Sequence, residues 1–440
     1  MTAKKSKRLW SWLTALAFGL AFLVFVGGFV YLDERQNAIA AGTQAAKEET
    51  ISIPKFKRGI NVSRLQNFAY RDPERPGKYL WPPFRGELSK VSDAELERLR
   101  ALGFDFIRFP IDAGVFLAAT DSERRILLDD TKSITVRLLD SGFTVMVDLH
   151  PAAYLTEWAP VDILRDAPDG PRFQAYSDLV EEVAKRIRDL PTDKVALELM
   201  NEPQGVCFEE DSQDWSVSQK QLYDRARSVA PDLPIVLTPG CWRSMEGLEY
   251  MSLDGYDDKI IVDFHFYEPF YFTHQSLPWV LDPLRYIAGL SYPWTAGDVE
   301  TAEERTRQHI AALKAADVDV PDYAFDKAMD GVRDYYKRER PDRNFIESRF
   351  DTISQWAEKH DISPDQIVLG EFSAIRPPKG LPDDGSRLAW IRDVRTVVEE
   401  RGFGWALWDY YEGFGLMTDN VKRTVEPAMV DTLGLNADAL

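Results

Sequence analysis

Short apolar, β-branched or aromatic runs recur along the chain from about residue 53, and most are followed by a stretch in which apolar residues return at helical spacing. The runs lie at 57–62, 104–109, 143–149, 195–200, 234–238, 259–264, 366–370 and 403–407. Between the first two, Ser92 and Glu95 have the form of a capping box. Leu96, Leu99 and Leu102 follow on one face, and Gly103 stands where a helix end calls for positive φ. Segments 173–190, 219–229, 345–360 and 387–401 read in the same way, the last closed by Gly402. Eight strands, each but the last with helical pattern behind it, predict an α/β fold, a closed (β/α)8 TIM barrel in preference to an open doubly wound sheet. No GxGxxG or P-loop motif follows any strand, which removes the nucleotide-binding versions of such a fold.

Two stretches break this rhythm. Residues 9–32 carry no charge, and at the helical rise they exceed the roughly 30 Å of a bilayer's hydrocarbon core. Lys4, Lys5, Lys7 and Arg8 precede them and Asp33 and Glu34 follow, so the positive-inside rule predicts a cytoplasmic tail at 1–8 and a transmembrane anchor at 9–32. A linker at 33–52 would then lead to a catalytic domain at 53–440 in the periplasm or outside the cell. Ala38-Ile39-Ala40 leaves a cleaved signal peptide as the alternative. The second break is an insertion at about 266–365, whose first part is dense in aromatics: Tyr267, Phe270, Tyr271, Phe272, Trp279, Tyr286, Tyr292 and Trp294. It reads either as a lid or subsite wall or as a small satellite core.

Composition narrows the function classes. With 53 basic against 72 acidic residues the formal charge is −19, which repels nucleic acid and disfavours polyanionic substrates while leaving neutral ligands unaffected. Two cysteines, Cys207 and Cys241, are too few for a disulfide framework or a four-cysteine zinc site. They follow neighbouring strands on one face of the barrel, so a single bridge between them is expected. No HExxH or calcium-loop pattern appears, and no metal or other cofactor is expected.

Polar residues gather at the predicted strand ends, where a barrel places its active site: Arg108, His150, Asn201, Glu202, His265, Tyr267, Glu371 and Trp408. A purely structural protein has no reason to aim so many charges at one rim, because each unpaired buried charge costs several kcal/mol. Glu202 and Glu371 end strands that face each other across the barrel. Cleavage of an acetal with retention needs such a pair, about 5–5.5 Å apart, one protonated and one ionised. Trp242, in Pro-Gly-Cys-Trp, is read either as a sugar platform or as core, Trp81 and Trp158 as packing, and His274, His309 and His360 as surface residues.

The segment Val-Ala-Leu-Glu-Leu-Met-Asn-Glu-Pro at 195–203 resembles the signature of glycoside hydrolase family 5, the large cellulase-type family of retaining β-glycanases. The resemblance extends over roughly 53–420 and is carried by the eight strand-end residues in the family's order. It implies Glu202 as acid/base, Asn201 as partner of the sugar 2-hydroxyl, Glu371 in Val-Leu-Gly-Glu-Phe as nucleophile, and Arg108 as the arginine orienting it. It further implies Tyr267 bonded to the nucleophile, His265 beside the acid/base, and His150 and Trp408 lining the sugar site. Gln204 departs from the family, which more often carries histidine or one of a few other residues there, and the insertion is long for a minimal cellulase. The expected function is an endo-acting hydrolase of a neutral, cellulose-like β-glucan. The alternatives are a transglycosylase on the same site and a non-catalytic glycan-binding subunit of an exopolysaccharide export machine.

Overall fold

The computed structural model of the chain describes residues 53–75, 78–152, 158–204, 215–248 and 250–440. Eight parallel strands close into a barrel in sequence order: β1 (Arg58–Asn61), β2 (Phe106–Ile111), β3 (Thr144–Leu149), β4 (Val195–Glu198), β5 (Ile235–Leu237), β6 (Ile260–Phe266), β7 (Ile367–Phe372) and β8 (Gly404–Leu407). All eight predicted strands are present. β1 pairs with both β2 and β8, so the sheet has no free edge.

The helices that wrap the barrel begin and end where local chemistry dictates. In Asp93–Leu102 the Ser92 Oγ accepts from the Glu95 N–H, the Glu95 carboxylate accepts from the Ser92 N–H at 2.8 Å, and Gly103 closes the helix with φ 110°. Thr120 and Glu123 repeat this box ahead of Asp121–Asp140. Pro171–Ile187, Trp215–Val229, Arg343–Lys359 and Ser386–Glu400 supply the further crossovers expected from the periodicity. One connection differs from expectation: β5 and β6 are joined by a tight turn, Gly240–Arg243, and a single-turn helix, Met245–Leu248, in place of a full helix.

The insertion between β6 and β7 folds around its own core. Helices Val299–Ala315 and Ala324–Asp334 stand in it, and Phe272, Tyr286, Tyr292 and Tyr335 are buried. Phe272 stacks on Tyr335 at 6.3 Å, and the Tyr292 hydroxyl donates to Asp393 at 2.7 Å, fastening the insertion to the helix ahead of β8. Phe270 and Trp279, in contrast, are exposed. The buried part of the aromatic patch is therefore a satellite core, while Phe270 and Trp279 face solvent.

Four single-residue expectations are corrected. His274 and His309 are buried, not at the surface, because the insertion packs over them, and His360 is half-buried beside Trp356. Trp81 is 41% exposed and so is not core packing, whereas Trp158 does pack against the core. Among the described residues no helix is long and apolar enough to cross a membrane; the predicted span at 9–32 lies outside them.

Candidate active site

The nucleophile candidate is aimed by a local irregularity. Opposite β6, the register advances from Phe264↔Leu369 to His265↔Glu371, so Gly370 is an extra, bulged residue. Its N–H donates to Asp263 Oδ1 at 2.8 Å, and a side chain there would lie 2.2 Å from Asp263 Oδ2, which is why the bulge is glycine. Asn61 Nδ2 donates to the Gly370 carbonyl at 2.8 Å. The bulge turns the Glu371 carboxylate to the barrel mouth, where Arg108 Nη1 donates to Oε1 at 2.7 Å and the Tyr267 hydroxyl to Oε2 at 3.0 Å. Both oxygens are thus held.

Glu202 reaches the same space from the end of β4. Its Oε1 lies 2.8 Å from His265 Nδ1, and a donor atom from each of Glu202, His265 and Glu371 falls within 4.8 Å of the others. His265 Nε2 faces Arg243 Nη1 at 2.9 Å. A guanidinium can only donate, so Nε2 is the acceptor and Nδ1 carries the proton, which it donates to Glu202. Burial, with Arg243 and Arg108 nearby, holds the His265 pKa well below its usual value and keeps the ring neutral.

The two carboxyls are set apart by these partners. Burial, together with the charge of Glu371, pushes Glu202 up to about 8. Burial also raises Glu371, but Arg108, His150 and Arg243 oppose it. With a guanidinium and a phenol donating to Glu371 and one neutral imidazole donating to Glu202, the single proton belongs on Glu202.

The remaining predicted residues line the same mouth. His150 stacks nearly parallel to Trp408 at 5.7 Å, and its Nδ1 meets Asp148 at 2.8 Å. Asn201 Oδ1 accepts from Arg108 at 2.7 Å, which turns its amide nitrogen toward His150 Nε2, 3.3 Å away. Burial lowers the His150 pKa to about 4. Trp242 is 52% exposed, so it is not core, and its N–H donates to the carbonyl of Pro203, next to Glu202. Cys207, half of the expected bridge to Cys241, lies outside the described residues.

Four buried residues beneath these were not anticipated. Asp148, Glu198 and Asp263 lie inside strands, and Arg243 follows β5. Glu198 takes two bonds from Arg108, at 2.7 and 2.9 Å, and meets Arg243 at 2.6 Å. Arg243 reaches inward because Cys241, Trp242 and Arg243 are three successive residues with positive φ, of 58°, 54° and 65°. Such backbone costs of order 1–3 kcal/mol per non-glycine residue, and here it sends neighbouring side chains in opposite directions, Trp242 out and Arg243 in. The detectable signal is a single charge inside each of three apolar runs, Asp148 in 143–149, Glu198 in 195–200 and Asp263 in 259–264. Nothing in Gly-Cys-Trp-Arg announces the left-handed turn. The Glu202, His265 and Glu371 donors are compact enough for a cation, but Arg108 and Arg243 touch two of them and would repel one.

Comparison with known proteins gives one answer at the level of family. The model of the cellulase family, glycosyl hydrolase family 5, matches residues 84–413. Endoglucanase C of Acetivibrio thermocellus is 23% identical over 349 residues, covering 78% of this chain and 90% of its own. Among solved structures, Thermotoga maritima Cel5A in complex with cellobiose superposes with a TM-score of 0.59 at 20% identity, covering 86% of this chain and 97% of its own. The cellulose synthase subunit Z of Clostridioides difficile gives 0.60 at 21% identity, covering 86% and 99%.

Proposed function

Since the chain belongs to the cellulase family, glycosyl hydrolase family 5, and is a hydrolase of O-glycosyl bonds, we propose that it cleaves a neutral β-linked polysaccharide internally, with retention, a cellulose-like β-1,4-glucan being the leading substrate. The observation that carries this reading is the Glu202–Glu371 pair, with carboxylate oxygens within 4.8 Å and partners that leave one protonated and one ionised. A pair this close favours the roughly 5–5.5 Å separation of retaining enzymes over the wider one of about 6.5–9.5 Å in inverting ones.

In the first step Glu371 attacks the anomeric carbon while Glu202 gives its proton to the leaving oxygen, producing a glycosyl-enzyme and a shortened chain. In the second, Glu202, now a carboxylate, takes a proton from water, whose oxygen displaces Glu371 and restores both groups. Asn201 bonds the 2-hydroxyl of the reacting sugar, Trp408 and His150 line its site, and Trp242 offers an exposed face beside the acid/base.

The body is further assigned to the periplasm or the cell exterior, held by the predicted span at 9–32, where it would trim polymer as it is made or exported. The anchor pattern motivates that placement, as does a fold neighbour named as a cellulose synthase subunit. The test is hydrolysis by the full chain on a panel of neutral β-glucans, mannans and xylans, beside Glu202→Gln and Glu371→Gln. Activity on one polymer that Glu371→Gln lowers at least about 10⁴-fold and Glu202→Gln about 10²–10⁴-fold supports the reading. Products longer than the starting oligosaccharide would move it to transglycosylation. Silence on every polymer sinks it.

A further inference from the structure

Two of the side chains that fix the proposed catalytic pair are delivered by backbone beyond the barrel strands. Tyr267 follows β6 and donates its hydroxyl to Glu371, and Arg243 follows β5 and faces His265. Arg243 arrives through three successive left-handed residues, and such backbone persists only where its surroundings over-determine it. The helix Met245–Leu248 is pressed against that turn so closely that a side chain at Gly247 would lie 2.4 Å from the Gly240 carbonyl oxygen. The turn and the short helix are therefore one mechanical unit.

This unit and the Tyr267 segment are gripped from outside by one residue. Arg349 stands on the helix Arg343–Lys359, which Phe350 locks against β6 through ring contacts with Phe264 at 5.7 Å and Phe266 at 5.1 Å. Arg349 Nη2 donates to Glu246, in the short helix behind Arg243, and to Glu268, the residue after Tyr267, the latter at 2.7 Å. Among the described residues no other cation pairs with either carboxylate. The Glu268 carbonyl is held separately by the Trp390 indole N–H at 3.1 Å, so its main chain is fixed on one side and its side chain on the other. Glu339, which burial together with Asp334 and Glu268 pushes up to about 7, adds a further acid beside Glu268.

We infer that Arg349 is a positioning residue for the proposed hydrolysis: from outside the barrel wall it ties the Arg243 turn to the Tyr267 segment and so sets the groups that donate to His265 and Glu371 in one frame. The inference rests on the β-glycanase reading. Arg349, Glu246 and Glu268 make no hydrogen bond or ion pair with Glu202 or Glu371 among the described residues, so they act through Arg243 and Tyr267.

The test is the pH dependence of kcat/KM on cellohexaose for the full chain, Glu246→Ala, Glu268→Ala, Arg349→Met and Arg349→Lys. Loss of the Glu268 tie loosens Tyr267, deprives the Glu371 anion of a donor and moves the acid limb upward by about half a pH unit. Loss of the Glu246 tie draws Arg243 away and moves the alkaline limb, set by Glu202, upward by a similar amount. Deleting an anion without any movement would shift either limb downward, so the direction separates lost positioning from lost charge. Arg349→Met should raise both limbs and lower kcat/KM about tenfold. Because a single nitrogen makes both contacts, the ammonium of Arg349→Lys should restore most of this. Limbs that stay in place or move downward in both alanine variants overturn the inference, whatever happens to thermal stability. Should the wild type leave cellohexaose intact, the substrate reading fails, and carbon-13 NMR titration of the glutamate carboxyls in the unliganded full chain decides the positioning role. Glu371 titrating higher in Glu268→Ala supports it, and an unchanged or lower titration overturns it.

Discussion

Two successive layers inside the same barrel have opposite chemistry. The lower one is apolar: Phe106, Met146, Ala196, Val236, Ile261, Val368 and Ala406 pack with Phe56 into one cluster. Two residues further along each strand, on the same inward face, stand Arg108, Asp148, Glu198, Thr238, Asp263, Gly370 and Trp408. The lower layer fills space in the way barrels ordinarily do. The upper layer buries two guanidiniums among several carboxyls, an arrangement that apolar residues of similar volume would often match or exceed in stability. The difference teaches that the upper layer is not kept for stability. It holds Arg108 and Arg243 beneath Glu371 and His265, and through them fixes where the proton of the proposed catalytic pair resides.

If so, the two layers should answer substitution differently, most sharply at the centre of the charged one. Glu198→Gln removes the anion shared by both guanidiniums. It should cost about 3–5 kcal/mol of stability and, by loosening Arg108 and Arg243, lower kcat/KM about 10²-fold for each folded molecule. Thermal unfolding and active-site-normalised kinetics measure both. Arg243→Met is gentler on turnover and shows itself in the pH profile. The proposed mechanism requires the acid form of Glu202, so kcat/KM on cellohexaose should fall as pH rises through about 8. Arg243 lowers the Glu202 pKa, so its loss should move that alkaline limb upward; a downward shift contradicts the assigned role. Met146→Ala, in the apolar layer, should cost about 2–5 kcal/mol of stability yet leave kcat/KM of the folded enzyme within a fewfold of wild type. Equal loss of activity from Met146→Ala and Glu198→Gln would erase the distinction between the layers.

The same contrast explains what was legible beforehand. The eight strands and most of the wrapping helices follow from periodicity and caps, which act locally. The eight strand-end residues were legible because polar groups at the ends of apolar runs have one place to go in a closed barrel. Asp148, Glu198 and Asp263 were passed over because a single charge inside an apolar run reads as an exception until closure shows which alternate residues face the axis. Arg243 depends on three left-handed residues that no propensity favours. His274 and His309 were misplaced because their burial comes from how the insertion folds over them, a tertiary event without a period of its own.

The account stands most directly on the stereochemical outcome of the reaction. Proton NMR of the first hydrolysis products of cellohexaose, recorded before mutarotation, distinguishes the two possibilities. Release of the β-anomer first is what a pair with carboxylate oxygens within 4.8 Å and Glu371 as nucleophile predicts; release of the α-anomer first would contradict it.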